Sequence, residues 1–182
     1  MGLKDRTKWM FAEELQKMLK ESPLTKIRIG ELCLNCNVDR QVFYYHFRDK
    51  YDLVAWIFMQ DFMTSMKTSG DIPGLFQLAK ALTLIKEKKV FYRKSLEDYS
   101  QNSLSQYMQE YDVRFYTDIL QRKRKNDLLS CELQYSIRYH SYGCIGMTIE
   151  WLQNNCDVPP EEFARLLLDH MPEDLKSALL EA

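Results

Sequence analysis

Arg40, Gln41, Tyr44 and His46 fall close together in the stretch Val38–Lys50, which reads VDRQVFYYHFRDK. These side chains donate and accept hydrogen bonds, but no acid–base pair or activated nucleophile can be assembled from them. Val38, Val42, Phe43 and Phe47 recur at helical spacing and are expected to face a core, leaving Arg40, Gln41, Tyr44 and His46 outward. Asp39 and Asp49 suit the caps of this helix and the next, with Asp52 at the third position of the latter. A short helix with a hydrogen-bonding outer face between two other helices is what reading a DNA groove requires. In that setting Arg40 can grip guanine and Gln41 adenine through paired hydrogen bonds, while Val42 offers an apolar contact to a thymine methyl. Tyr44, His46, Lys50 and the preceding Arg28 are then placed for phosphates, which position a protein without carrying sequence information.

Catalytic chemistry finds no comparable constellation. The three histidines, His46, His140 and His170, fall on three different predicted helices, and no HExxH or Ser/His/Asp order occurs. The sequence therefore implies no catalytic residue, no metal and no cofactor. His140, in an apolar stretch, reads as a hydrogen-bonded core histidine, a pocket-lining residue or, least simply, a metal ligand. The aromatic stripe that includes Tyr107 and Tyr111 reads either as core or as the lining of an effector cavity. The five cysteines are odd in number and follow no secretory signal, which suggests a reduced, cytoplasmic setting. Cys33 and Cys36 form a single CxxC without a second pair and read as small core residues.

The elements that must position the head follow from periodicity. Residues 3–21 carry Phe11, Leu15, Met18 and Leu19 on one stripe, and Ser22-Pro23 ends that helix. A second helix is expected near 29–36, with Asn37 taking the left-handed conformation that stops it. Arg28 stands where a capping hydroxyl would be favourable, a loss of about 1 kcal/mol that a nearby phosphate can offset. A longer helix runs from Lys50 to about residue 67. Ser69–Gly74 reads as a connection, with Pro73 just inside the following helix. Beyond it the chain carries only helical patterns, for nine or ten helices in all. The run Arg122–Lys125 reads as cations at a helix C-terminus.

Residues 127–154 hold the most apolar stretch, YHSYGCIGMTIEWL, with Glu150 as its one formal charge. A helix apolar all round needs burial on two sides. Ser141, Gly143, Cys144 and Gly146 are small enough for a second helix to approach. The net charge of −1 does not advertise nucleic-acid binding, but residues 1–60 hold ten Lys/Arg against eight Asp/Glu, so the positive balance lies in the head. No apolar run reaches membrane-spanning length.

The stretch VDRQVFYYHFRDKYDL resembles the TetR family of transcriptional regulators, whose pattern runs roughly V-S-x-x-T-F-Y-x-H-F-x-x-K-x-x-L. Asn37 and Arg28 depart from the Gly and the Ser or Thr usual there. The resemblance implies an all-α protein with a three-helix DNA-binding head, residues 1–50, and a helical regulatory and dimerisation domain, residues 51–182. It implies a homodimer on a near-palindromic operator, closed by the last two long helices, and here Gly143, Gly146, Met147 and Trp151 are expected in that contact. Tyr107, Tyr111 and His140 are the residues expected at an effector. LIKEKKVFYRKSL together with GCIGMTIEWLQNNCDVPPEEFARLLLDHM also resembles the C-terminal domain of Firmicutes activators of dihydroxyacetone kinase operons, which implies a kinase-like coactivator protein as a further partner. A helical scaffold without DNA binding is the alternative.

Overall fold

The computed structural model describes residues 3–66, 74–98, 102–123 and 128–180. It is all-helical among these, with α1 (Leu3–Glu21), α2 (Ile29–Asn35), α3 (Arg40–His46), α4 (Lys50–Met66), α5 (Leu75–Glu87), α6 (Lys89–Leu96), α7 (Leu104–Lys123), α8 (Cys131–Gln153), α9 (Pro160–Asp169) and α10 (Glu173–Leu180). A single 3-10 turn, Leu24–Lys26, joins α1 to α2 and had no sequence signal beyond Ser22-Pro23. The expected connection and Pro73 lie largely outside the described residues; Gly74 stands before Leu75 as the α5 cap. Lys125 and the start of the 127–154 segment also lie outside them.

The start of α4 is fixed as its carboxylates suggested. Asp49 Oδ1 accepts from the amides of Tyr51 and Asp52 at 2.8 and 2.9 Å, and Asp52 Oδ2 accepts from the Arg48 amide at 3.0 Å. Asp39 occupies the cap position of α3, but its side chain makes no capping hydrogen bond. Asn37 adopts φ 56°, the left-handed conformation expected of it.

Phe11, Leu15 and Leu19 of α1, Leu32 of α2, Phe43 of α3 and Leu53 and Ile57 of α4 are fully enclosed. Phe11 meets Phe43 edge-on, with ring centroids 5.2 Å apart. This core continues through α4 into α6, α8 and α9, so α4 belongs to the head at one end and to the C-terminal helices at the other. A second cluster joins the end of α7, the start of α8 and α10 through Ile119, Leu120, Ile137 and Leu175. Behind α4, Asp61 accepts from Lys88 Nζ at 2.6 Å and from the buried Tyr92 hydroxyl at 2.7 Å, tying α4 to the α5–α6 corner.

Candidate nucleic-acid interface and regulatory cavity

The outer face of α3 is built as its spacing dictates. Phe43 and Phe47 are buried and Val42 is half-buried, while Arg40, Gln41, Tyr44 and Tyr45 are exposed. Tyr44 and Tyr45 are 56% and 67% exposed, large values for rings on so short a helix. Tyr45 was not singled out from sequence; its place four residues after Gln41 was the available signal. His46 is half-buried, its ring 4.9 Å from that of Tyr45. Arg28 is exposed at the cap position of α2 and makes no capping bond.

Arg40 has a defined seat. A Cβ added to Gly30 would collide with its guanidinium, whose Cζ and Nε lie 2.9 Å from that point. Gly30 therefore lets the side chain lie across α2. Gly30→Ala should displace Arg40 and, on the base-reading role expected of Arg40, change base preference at one position of the operator, leaving the fold intact because a long side chain can move aside. Affinity measured across single-base operator variants checks this.

Lys50 requires a correction. Its ammonium donates to the carbonyls of Leu24, Thr25 and Ile27 at 2.7, 3.1 and 3.1 Å. All three donors are thus engaged by the α1–α2 connection, and the side chain is an internal strut rather than one held out toward a phosphate. Burial lowers its pKa from the usual lysine value, with the Asp98 and Asp49 carboxylates opposing that shift.

Trp151 requires another. It is 4% exposed within the single chain, stacks on Phe163 at 4.9 Å, and donates from Nε1 to the Val158 carbonyl at 2.8 Å. Its side chain is enclosed before any partner arrives. Ser141 likewise faces inward with zero exposure. The outward face of α8 is instead Tyr135, Tyr139, Tyr142, Gly143, Gly146 and Met147, and a Cβ on either glycine would meet nothing within 4 Å.

The three residues expected at an effector do not converge. Tyr111 lines a cavity of about 110 Å³ between α4, α5, α7, α8 and α9. Tyr107 instead lines a polar groove with Arg48, Asp52 and Arg114. His140 packs edge-on to Tyr116 at 5.6 Å, with Cys144 Sγ 3.6 Å from its Nε2, and burial lowers its pKa. The cavity wall also holds Asp112, which sequence reasoning passed over. It falls four residues after Met108 and three before Phe115, inside the apolar stripe of α7, and that misplaced carboxylate was the signal. Cys33 and Cys36 are free thiols, and burial raises both, Cys36 to about 11.

A family described as a transcriptional regulator C-terminal region, of the TetR type, matches residues 76–172, more than half of the chain. The chain belongs to the TetR family of transcriptional regulators. The HTH-type dhaKLM operon transcriptional activator DhaS of Lactococcus lactis subsp. lactis is 25% identical over 89 residues, covering 48% of each chain. In sequence, then, this TetR-type chain aligns with about half the length of that curated relative. Among solved structures, the dihydroxyacetone kinase operon activator DhaS matches with a TM-score of 0.63 at 18% identity, covering 93% of this chain and 96% of that one. NalD, the secondary repressor of the MexAB-OprM efflux pump in Pseudomonas aeruginosa, matches with a TM-score of 0.52 at 15% identity, covering 92% and 96%. At these identities the structures show a shared fold. No helix among the described residues is long and apolar enough to cross a membrane.

Proposed function

We propose that this TetR-family regulator acts in the cytoplasm as a homodimer on a near-palindromic operator, with its DNA affinity set through the C-terminal helices, and that it is not an enzyme. Residues 1–50 form the reading head and residues 51–182 the regulatory and dimerisation part. The observation that carries this reading is the exposed polar face of α3, standing over a fully apolar inner face. Arg40 and Gln41 read base edges and Val42 contacts a thymine methyl; Tyr44, His46 and Arg28 hold phosphates. The cavity supports a small-molecule effector, while the likeness to a dhaKLM operon activator supports a kinase-like coactivator protein as the second reading. The experiment is a binding series on operator and scrambled DNA at several salt concentrations. Gln41→Ala should relax preference at one base pair per half-site and leave the salt slope unchanged. Arg28→Ala should weaken all sequences alike and reduce the slope of log affinity against log salt by about 1 per subunit. A base-preference change from Arg28→Ala with only a slope change from Gln41→Ala would reverse these assignments.

The dimer contact is the outer face of α8, where Tyr135 and Tyr139 are 69% and 76% exposed in the single chain. Gly143→Leu tests it without disturbing the protomer, since the added side chain enters open space and replaces a poor helix former. Overpacking a close helix contact should weaken association by about 1–3 kcal/mol. Sedimentation should show the dimer dissociating at higher concentration, with unchanged helicity. Wild type sedimenting as a monomer at micromolar concentration would refute the contact.

A further inference from the structure

Asp112 is a carboxylate in an apolar cavity. The wall around it is supplied by Phe58 and Phe62 of α4, Leu82 and Ile85 of α5, Ile145 of α8 and Leu167 of α9. Among the described residues no Lys, Arg or His forms an ion pair with Asp112, and the cavity lining contains none. The neighbouring polar group is the Ser141 hydroxyl, which favours the charged form of the carboxylate. That hydroxyl has zero exposure and no hydrogen-bond partner at bonding geometry. The α7–α8 seam thus holds a buried hydroxyl left unsatisfied, next to a carboxylate that opens onto the cavity. A carboxylate in apolar surroundings is unfavourable unless a cation or donors meet it. An anionic ligand would add to that cost, and a purely apolar one would leave it in place.

We propose that this cavity binds a compact primary amine whose ammonium group pairs with Asp112 and whose apolar body, a short alkyl chain, packs between Phe58, Phe62 and Ile145. The size follows from the volume of about 110 Å³, since a dry protein cavity of roughly 150 Å³ holds one benzene ring and this one is smaller. This proposal rests on the reading of the C-terminal helices as a regulatory site and names the chemical class of its effector.

Protonation of Asp112 sets the pH window. Burial raises its carboxyl to about 6, and the Ser141 hydroxyl opposes that shift. The titratable groups around it come from α7 and α8. Tyr111, Tyr116 and Cys144 are raised by burial and stay neutral in this range, and His140 is lowered. The residues facing the cavity from α4, α5 and α9 are uncharged. Amine binding should therefore be strong above pH 6 and weaken as pH falls through it.

Calorimetric titration of the protein with n-propylamine and with its neutral counterpart 1-propanol tests the proposal. At pH 7.5 n-propylamine should bind about tenfold or more tighter, the step from a neutral to a charge-assisted hydrogen bond. Asp112→Asn should erase that preference while retaining 1-propanol, which shows the cavity intact. Ala81→Leu keeps the carboxylate but fills the space, and should abolish both. Equal affinities in the native protein, no binding of either compound, or a preference that survives Asp112→Asn or Ala81→Leu would overturn it. DNA binding in the amine-free samples reports on the regulator reading separately, so intact DNA binding with no amine preference sinks this proposal alone.

Discussion

Lys50→Met should destabilise the head by about 2–4 kcal/mol and leave the salt dependence of DNA binding unchanged. The ammonium donates to three carbonyls of the turn between α1 and α2, contributed by residues 23 to 26 positions earlier in the chain. A hydrogen bond to a charged group contributes roughly 1.5–3 kcal/mol, and bonds sharing one donor group are not additive. Methionine keeps the apolar stem and removes all three donors, so the turn, and with it the entry to α2, loses its anchor. DNA affinity should fall for every sequence because fewer molecules hold a formed head. A phosphate-contacting lysine would behave differently: its loss would lower the slope of log affinity against log salt by about 1 per subunit. Urea titration followed by binding at several salt concentrations separates the two. Unchanged stability with a reduced slope would return Lys50 to the DNA surface.

Asp61→Ala should lower stability by about 3 kcal/mol. Asp61 is 8% exposed and meets both Lys88 and the fully buried Tyr92 hydroxyl. Removing one partner of a buried pair leaves the others uncompensated, at roughly 3–5 kcal/mol. The lower end applies because the Lys88 side chain keeps 28% of its exposure. For a chain of this size the loss corresponds to a fall in Tm of about 6–12 °C. Tyr92→Phe, which leaves the ion pair in place, should have a smaller effect. A melting curve for Asp61→Ala within about 2 °C of wild type, the smallest shift expected for the loss of a single kcal/mol, would show the network contributes little.

The helices were legible because nearly every one carries its apolar residues at helical spacing and is bounded by Pro, Gly, Asn or a carboxylate. Asp49 and Asp52 fixed the start of α4 in sequence, since their partners are amides within the same turn. The exposed polar face of α3 was legible for the same local reason. Lys50 was not, because its partners are backbone carbonyls of a distant turn, and a carbonyl has no sequence signature. Trp151 was misassigned because its Nε1 donates to a carbonyl beyond the tight turn at Asn155 and Cys156, both with positive φ. In α8, composition suggested a helix apolar all round, but its tyrosines stand outward while Ser141 and His140 point in. Average hydrophobicity conceals that inversion.

Because α4 carries Lys50 at one end and Phe58 and Phe62 in the cavity wall, it has the geometry of a lever for the proposed effector. The arm from Lys50 to Phe62 is about 18 Å at 1.5 Å per residue. A wedge at Phe62 that tilts the rod by about 5° swings its head end by roughly 1.6 Å over that arm. The Lys50 strut makes α1, α2 and α3 travel with it. In the proposed homodimer, two copies swinging in opposite senses would change the spacing of the α3 helices by about 3 Å against a groove repeat of roughly 34 Å. Leverage of this kind needs no rearrangement inside the head, only a rigid joint at Lys50 and a compliant one at the cavity where the proposed ligand would sit.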